Sequence, residues 1–292
     1  MRNYMKTLLL IALILISTQS IGQTSNLDSL IDVGIAYYKD NKKSEALKVW
    51  EYIESSAAPT SSTYGTTLLN ILYFFSKERN EPKLLEYYEK VINSKLNDKD
   101  RSSNGLSEIY KNYRYKATIT MAGYYASEKK FQTALSYFNI ADEKIVYEET
   151  SLTSIIIEKI KLSNWKSRAY TDLGKTDSAF YILLKRALEY DYKNMYKNWA
   201  TLSQNNSELN LAKAIIKFDS SKSALLHFKS ELDDSFDKLN LKEINGSFFL
   251  SFKFRGLSYD IIVYEKMSDI EAYKTYLKSS VFYTHLTNSI SQ

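Results

Sequence analysis

The chain has 292 residues, enough for one large domain or two ordinary ones, and its 44% hydrophobic and 25% charged content is typical of a folded protein. It contains no cysteine, which excludes disulfides, thiolate metal sites and lipid attachment through a cysteine. Its formal net charge is +5, and the excess of positive residues is spread among acidic residues at helical spacing, as on solvated helix faces.

The N-terminal residues 1–22 are predicted to be a signal peptide. Arg2 and Lys6 supply the positive start, residues 8–16 form an apolar core, and the small residues up to Gly22 suit cleavage before Gln23. The apolar run is shorter than the roughly 20 residues that span a bilayer, and an uncleaved anchor is the alternative. We therefore expect an exported protein, periplasmic or extracellular, with no transmembrane segment after signal cleavage.

Nucleic-acid binding is not expected. Removal of Arg2 and Lys6 with the signal peptide lowers the formal charge to +3. Base and phosphate recognition depends strongly on arginine, and the chain has only seven arginines.

Helical hairpins are predicted along residues 27–190, because apolar residues recur there at three- and four-residue steps. Ser44 is the predicted N-cap of the second helix, and Pro82 stands near a helix start, where its missing N–H does no harm. Scarce glycine (8) and proline (2) favour long helices with short polar turns. The predicted helix pairs are 27–38 with 44–53, 64–77 with 83–94, 106–127 with 131–146, and 152–173 with 177–189.

The small and aromatic residues of these hairpins resemble the tetratricopeptide repeat (TPR) over roughly residues 27–190. The clearest copy consists of Ala122, Tyr125, Ala134, Phe138 and Ala141. A second copy consists of Gly34, Tyr37, Ala46, Trp50 and Ile53, whose last member is larger than the pattern asks, and a third of Ser167, Tyr170, Ala179 and Leu183. A fourth copy, over residues 66–92, resembles the repeat only in the shape of its side chains at Phe75, Leu84, Tyr88 and Val91. The spacings between Ala46, Leu84, Ala134 and Ala179 are 38, 50 and 45 residues, longer than the family period of about 34, so we expect an irregular array.

The pattern changes after residue 190. Helices are predicted at 192–202, 209–218 and 220–239, followed by a β-hairpin in which apolar and polar residues alternate on both sides of Arg255-Gly256. A last helix, 269–285, is predicted to open with a capping box from Ser268 to Glu271. Because a two-stranded sheet is marginal alone, residues 191–292 are predicted to form a helical extension and a helix–hairpin–helix cap on the last repeat.

The predicted fold class is therefore mainly α: an antiparallel helical-hairpin repeat array, a TPR-like solenoid over residues 23–190, followed by a small α+β tail with one β-hairpin.

Catalytic chemistry has little support in the sequence. The two histidines are His227, predicted to be a partly buried structural side chain beside an apolar helix face, and His285, near the C-terminus. There is no glycine-rich phosphate loop and no G-x-S-x-G motif. We expect a protein that is not an enzyme, with no catalytic, cofactor-binding or metal-binding residues.

The resemblance to TPR arrays implies a concave groove lined by the first helix of each hairpin. On this basis the partner-binding candidates are Tyr38, Lys39, Tyr73, Lys77, Lys116, Asn164 and Arg168. Basic side chains among aromatic ones suit an acidic peptide or a C-terminal carboxylate. The alternative is that these are ordinary surface residues.

The first functional hypothesis is an exported, non-catalytic protein-interaction module that binds a protein or peptide through this concave face. A second is a structural or assembly subunit of a cell-envelope complex, with the C-terminal β-hairpin offering an edge to a partner strand. A third is a hydrolase with its site at the junction of array and tail, where a cleft would gather His227 with a carboxylate and a hydroxyl.

Overall fold

The computed structural model describes residues 27–100, 110–148, 152–189, 222–244, 247–263 and 267–291. The predicted signal peptide and the predicted helices 192–202 and 209–218 lie outside these ranges. Contacts divide the chain into two compact units, Met1–Thr150 (unit 1) and Ser151–Gln292 (unit 2). No helix within the described ranges is both long and apolar enough to cross a membrane.

The described part of unit 1 consists of helices joined in pairs. They are α1 (27–39), α2 (Lys43–Ser56), α3 (Ser62–Lys77), α4 (Glu81–Ile92), α5 (Tyr113–Ser127) and α6 (Phe131–Glu143). Each pair is an antiparallel hairpin with a short turn. The prediction of a mainly helical, TPR-like hairpin array is confirmed.

Unit 2 has both helices and strands. Its elements are α7 (Leu152–Asp172), α8 (Thr176–Glu189), α9 (Lys222–Asp237), β1 (Asn240–Ile244), β2 (Ser247–Phe254), β3 (Leu257–Val263), α10 (Ile270–Lys278) and α11 (Val281–Ser291). The helices α7 and α8 form a fourth hairpin, as predicted.

All four hairpins close with the same turn. The carbonyl of an aromatic residue accepts a hydrogen bond from the N–H five residues later, across one residue with positive φ, as in a Schellman motif. The aromatic acceptors are Tyr37, Phe75, Tyr125 and Tyr170, and the left-handed residues are Asn41, Arg79, Lys129 and Gly174. In the second helix of each hairpin, the position nine residues after the aromatic residue is buried; these positions are Ala46, Leu84, Ala134 and Ala179. The hairpins are therefore copies of one unit, including the 66–92 copy.

Small residues let the helices of unit 1 approach closely. A Cβ on Gly34 would lie 2.3 Å from Nε1 of Trp50, so the indole ring rests directly on the α1 backbone. In the same way, a Cβ on Gly65 of α3 would lie 2.5 Å from the ring of Tyr113 at the start of α5. Ala122 and Ala134 are fully buried between α5 and α6. These contacts explain the small positions of the repeat pattern.

Carboxylates link successive hairpins of unit 1 through side-chain hydrogen bonds. Glu54 of α2 accepts hydrogen bonds from the Tyr87 hydroxyl at 2.8 Å and from Nζ of Lys90 at 2.9 Å. Glu81 of α4 accepts from Nζ of Lys130 at 2.8 Å and from the Tyr125 hydroxyl at 2.9 Å. Those two bonds, from Lys130 and then Tyr125, hold the pKa of Glu81 below its ordinary value.

Two of the predicted helix starts in unit 1 differ from the structure, and a third agrees with it. The prediction of Ser44 as N-cap is wrong: α2 begins at Lys43, because the turn carries the chain straight into the helix, and Lys42 makes no side-chain cap. The helix predicted from residue 106 begins at Tyr113, because Asn112 is left-handed with φ of 49°. Pro82 lies in the first turn of α4, as predicted, with Asn80 as the N-cap.

The predicted β-hairpin is confirmed, and a further strand extends it. Strands β1, β2 and β3 form an antiparallel sheet in that order, with Leu250 paired to both Leu241 and Ile261. A two-residue turn, Arg255-Gly256, joins β2 to β3. Strand β1 was not predicted, because its five residues are too few to show alternation.

One apolar core holds unit 2 together. The inner face of the sheet carries Leu250, Phe252, Phe254, Tyr259 and Ile261, all buried as the alternation predicted. These pack with Leu184 and Leu188 of α8, Phe228 and Phe236 of α9, and Tyr273 and Phe282 of the last helices. The tail therefore packs on α8, the last helix of the predicted array. The boundary between the two units falls after Thr150, whereas the predicted array extended to residue 190.

The predicted last helix, 269–285, is wrong in extent. It is split into α10 and α11, because Ser280 interrupts it and its Oγ accepts from the N–H of Tyr283 at 3.2 Å as a new N-cap. The N-cap of α10 is Asp269, whose Oδ1 accepts from Ala272 N at 2.9 Å, so the predicted cap at Ser268 is shifted by one residue.

Candidate interaction surface

Two tyrosines and a lysine from the predicted set come together on unit 1. The rings of Tyr38, near the end of α1, and Tyr73 of α3 meet edge to face with centroids 6.4 Å apart. Nζ of Lys77, one turn further along α3, lies 5.0 Å from the centroid of the Tyr73 ring. Tyr73 is 48% exposed, whereas Tyr38 is half-buried. These three residues, with the exposed Lys39, are called the tyrosine–lysine face.

Aromatic residues underneath hold this face in place. The Tyr38 ring lies 6.0 Å from Trp50 and 6.1 Å from Phe74, and both of those side chains are buried. The Trp50 ring is itself fixed against Gly34. Tyr38 therefore has little freedom, and it supports the exposed Tyr73 from one side.

The charge of the tyrosine–lysine face is not neutralised within the described part of unit 1. Neither Lys39 nor Lys77 makes an ion pair with a carboxylate of the described residues. Two cations at the neighbouring hairpin turns are paired instead: Lys43 with Glu78 at 2.7 Å and Arg79 with Glu128 at 3.3 Å. The face thus presents two lysines beside an exposed aromatic ring.

Lys116 does not join this face. Tyr113 at the start of α5 packs on Gly65 near the start of α3, and Glu128 just after α5 pairs with Arg79 just after α3, so the two helices run parallel. Lys116 lies in the first turn of α5, whereas Lys77 ends α3. About ten residues of helix, or roughly 15 Å of rise, separate their levels. Lys116 is exposed but belongs to the opposite end of the helices.

The remaining predicted residues belong to unit 2. Asn164 is half-buried and Arg168 is exposed, both on α7. Whether they extend the tyrosine–lysine face stays a prediction.

Gly123, on the exposed face of α5, was not among the predicted residues. A Cβ at this position would meet nothing within 4 Å, unlike one at Gly34 or Gly65, so internal packing does not require a glycine here. Glycine in the middle of a helix is unfavourable by roughly 0.5–1 kcal/mol relative to alanine. By the pairings at both helix ends, Gly123 lies within about a turn of the level of Tyr73. Gly123 therefore leaves open space at this level of α5.

A groove of about 440 Å³ lies within unit 2, between α8, α9 and the β2–β3 turn. It is called the aromatic groove, and its lining residues include Thr176, Asp177, Phe180, His227, Phe228 and Arg255. It therefore gathers His227 with a carboxylate and a hydroxyl, as the hydrolase hypothesis requires.

The catalytic geometry is nevertheless poor. His227 is 73% exposed, so the prediction of a partly buried imidazole is wrong, because it lies at the outer edge of the apolar face of α9. Its Nε2 lies 3.6 Å from Oε1 of Glu231, beyond a normal hydrogen bond. No hydroxyl of the described residues bonds to His227, and a nucleophile needs such a base within reach.

No group of three or more metal-ligating side chains comes together within the described residues. The arrangement of both surfaces is suited to binding through aromatic and charged contacts.

Comparison with known proteins gives structural likeness alone. No protein-family model and no curated protein sequence matches the chain. Among solved structures, pilF of Pseudomonas aeruginosa is similar with 12% identity and a TM-score of 0.43, over 72% of this chain and 84% of that chain. A Podosopora anserina kinesin light chain protein with nearly identical TPR-like repeats is similar with 14% identity and a TM-score of 0.46, over 68% of this chain and 90% of that chain. A variant of that kinesin light chain protein is similar with 14% identity and a TM-score of 0.46, over 70% of this chain and 92% of that chain.

Proposed function

We propose that the chain is an exported, non-catalytic protein-interaction module that binds an acidic peptide segment of a partner on the tyrosine–lysine face. The observation that carries this proposal is the exposed Tyr73 ring with Lys77 packed on it, since that lysine makes no ion pair with a carboxylate of the described residues. TPR-like hairpin arrays expose extended surfaces of this kind for partner recognition.

The tyrosine and lysine side chains of this face are suited to an interface with an acidic peptide. Tyrosine offers a large, rigid contact area at a low cost in conformational entropy, and it is frequent among residues that dominate binding energy. Lys39 and Lys77 attract acidic residues and favour them over basic ones. The open space at Gly123 leaves room for the partner's backbone or a side chain.

Binding to a panel of fluorescent peptides tests this proposal. We expect the mature chain to bind acidic peptides more tightly than basic peptides of equal length, and Lys77→Glu to reverse or abolish the preference. Tyr73→Ala should weaken binding about tenfold or more, as for a central interface tyrosine. The matched control is Tyr52→Ala, since Tyr52 is also exposed, at 57%, but belongs to α2, whereas the face is formed by residues of α1 and α3. Equal losses in both alanine variants would contradict the proposal.

Export rests on residues 1–22 alone. We expect N-terminal sequencing of the protein from the envelope or culture fluid to begin at Gln23. Recovery of the full chain from Met1 would leave the uncleaved anchor as the better account.

The assembly-subunit alternative depends on a free sheet edge. Strand β1 is such an edge, but it is short and carries the exposed charges Lys242 and Glu243, which discourage strand addition. On the outer strand β3, the Tyr181 hydroxyl donates to the carbonyl of Ser258 at 3.3 Å. These features favour the interaction module over the assembly subunit.

A further inference from the structure

The aromatic groove of unit 2 has a guanidinium at its edge that is already oriented. Both Nε and Nη2 of Arg255 donate to Oε2 of Glu231, at 3.0 and 2.8 Å. The same guanidinium lies 4.9 Å from the centroid of Phe228 and 5.5 Å from that of Phe254, two rings that line the groove. The side chain is thus held by one carboxylate and two aromatic rings.

This arrangement leaves the outer end of the guanidinium free. Arginine has five N–H donors in a planar fork, and Glu231 engages the side that bears Nε. Nη1 has no partner among the described residues, and the side chain is 48% exposed. The Nη1–Nη2 end can therefore receive a second carboxylate in a bidentate manner.

The backbone at Arg255 supports a role beyond turn formation. Arg255 and Gly256 both have positive φ, 48° and 77°, in a two-residue hairpin loop. Asparagine or glycine is the favoured residue at the first of these positions, and an arginine is strained there. Turn chemistry therefore does not explain the arginine, whereas its placement beside the groove does.

The groove itself is apolar. Its walls are formed by Phe180, Leu225, Phe228 and Phe254, with the exposed Leu257 at its mouth. Its volume of about 440 Å³ is within the range of small-molecule sites. A ligand with an apolar body fits these walls.

The charges at the rim limit the choice of ligand. Glu231 is engaged by Arg255, and Asp177 is in the first turn of α8, where the helix dipole offsets its charge. We propose that the aromatic groove binds a small amphipathic carboxylic acid, with its apolar body against the phenylalanines and its carboxylate on the free end of Arg255. This inference does not depend on the tyrosine–lysine face.

Calorimetric titration of the mature chain with octanoate and with octylamine tests this assignment. We expect octanoate to bind and octylamine, with the same tail and the opposite charge, to bind at least about tenfold more weakly. Stronger binding of the amine would show that Asp177 and Glu231 dominate and would overturn the proposal. So would tighter binding of an apolar peptide with a free C-terminus, since the proposed ligand is a free acid.

Two variants separate the site from the fold. Arg255→Asn suits the left-handed turn and should keep the thermal midpoint at or above that of the parent chain, yet weaken octanoate binding about tenfold or more. Lys253→Asn is the matched control, because Lys253 is an exposed cation two residues before Arg255, near the end of β2, and outside the groove. Ala224→Trp should block the groove and abolish binding. Unchanged octanoate binding in Arg255→Asn, or equal losses in both asparagine variants, would overturn the proposal.

Discussion

The two units of the chain reach stability by different means. Within unit 1 successive hairpins contact one another, and the carboxylates of Glu54 and Glu81 accept hydrogen bonds from tyrosine and lysine side chains of the next hairpin. In unit 2 a sheet, two central helices and two terminal helices share one apolar core. Unit 1 therefore distributes its stability along the chain, as repeat arrays do, whereas unit 2 concentrates it around the sheet.

This difference bears on where binding surfaces form. Repeated hairpins leave the outward faces of α1 and α3 uncovered, and the tyrosine–lysine face lies there. The mixed unit closes over its sheet but leaves a groove where the β2–β3 turn meets α8 and α9. One unit offers an extended surface and the other a small concave site.

Removal of a core side chain from unit 2 should have the largest effect. Phe236 is fully buried against Phe252 at 5.3 Å between ring centroids. We expect Phe236→Ala to lower the free energy of unfolding by about 3–5 kcal/mol, since it leaves a cavity in a close-packed core. Hydrogen exchange should accelerate first in α9 and the sheet. Uniform acceleration through α3 and α5 as well would show that the chain unfolds as one cooperative body.

A pair of glycine substitutions sharpens the picture of unit 1. Gly34→Ala forces the Trp50 ring out of place and should cost about 1–3 kcal/mol of unfolding free energy. Gly123→Ala meets nothing and should be neutral or stabilise the helix by about 0.5–1 kcal/mol. Chemical denaturation of the two variants measures both effects. Similar losses in the two would mean that the outward face of α5 is covered.

Substitution of Asp233 in unit 2 should have a smaller, pH-dependent effect on the free energy of unfolding. Burial opposes ionisation of Asp233, but hydrogen bonds from Lys229, Tyr283 and Lys278 outweigh it and lower its pKa. A lowered pKa stabilises the fold above the unfolded-state pKa, and this contribution is lost as the pH falls through the folded-state pKa. Asp233→Asn should therefore cost about 1–2 kcal/mol at neutral pH, and this cost should shrink as the pH falls below the ordinary pKa of an aspartate and through the lowered pKa of Asp233.

Denaturant melts of the parent chain and Asp233→Asn at several pH values check this. The parent should lose more stability than the variant as the pH falls. A constant difference between the two would place the role of Asp233 in packing alone.

The smallest effect is expected for a single hydroxyl between hairpins. Tyr125→Phe removes the hydrogen bond to Glu81 but keeps the ring, and should cost about 0.5–1.5 kcal/mol. Tyr52→Phe, on an exposed tyrosine of α2, is the control and should be silent in the same denaturation assay. A loss greater than that of Gly34→Ala would mean that the carboxylate contacts, rather than close helix packing, hold unit 1 together.

Much of this fold could be predicted because its signals are local. Helical periodicity, the small and aromatic positions and the alternation in β2 and β3 are all visible within windows of about ten to twenty residues. The helix starts were harder, since Lys42 and Asn112 owe their conformations to hydrogen bonds made across turns and loops. Strand β1 was missed because only its pairing with β2 defines it.

The candidate surfaces could be predicted less completely, because they depend on contacts between elements that are distant in sequence. Tyr38, Tyr73 and Lys77 could be selected by their repeat positions, but the separation of Lys116 depends on how α3 and α5 align. Arg255 could have been noticed as an unusual residue in a two-residue hairpin loop. Its role beside Phe228 depends on a contact with a helix about 25 residues away, which sequence alone does not reveal.

The central claim is that partners bind on the tyrosine–lysine face, and site-specific photo-crosslinking tests it most directly. A benzophenone amino acid would be placed at position 73 or at position 52, the two well-exposed tyrosines of the described part of unit 1, in the full mature chain. With an acidic fluorescent peptide as probe, we predict strong crosslinking from position 73, little from position 52, and loss of the position-73 product when Lys77→Glu is added. Equal crosslinking from both positions, or a product that is insensitive to Lys77→Glu, would contradict the account.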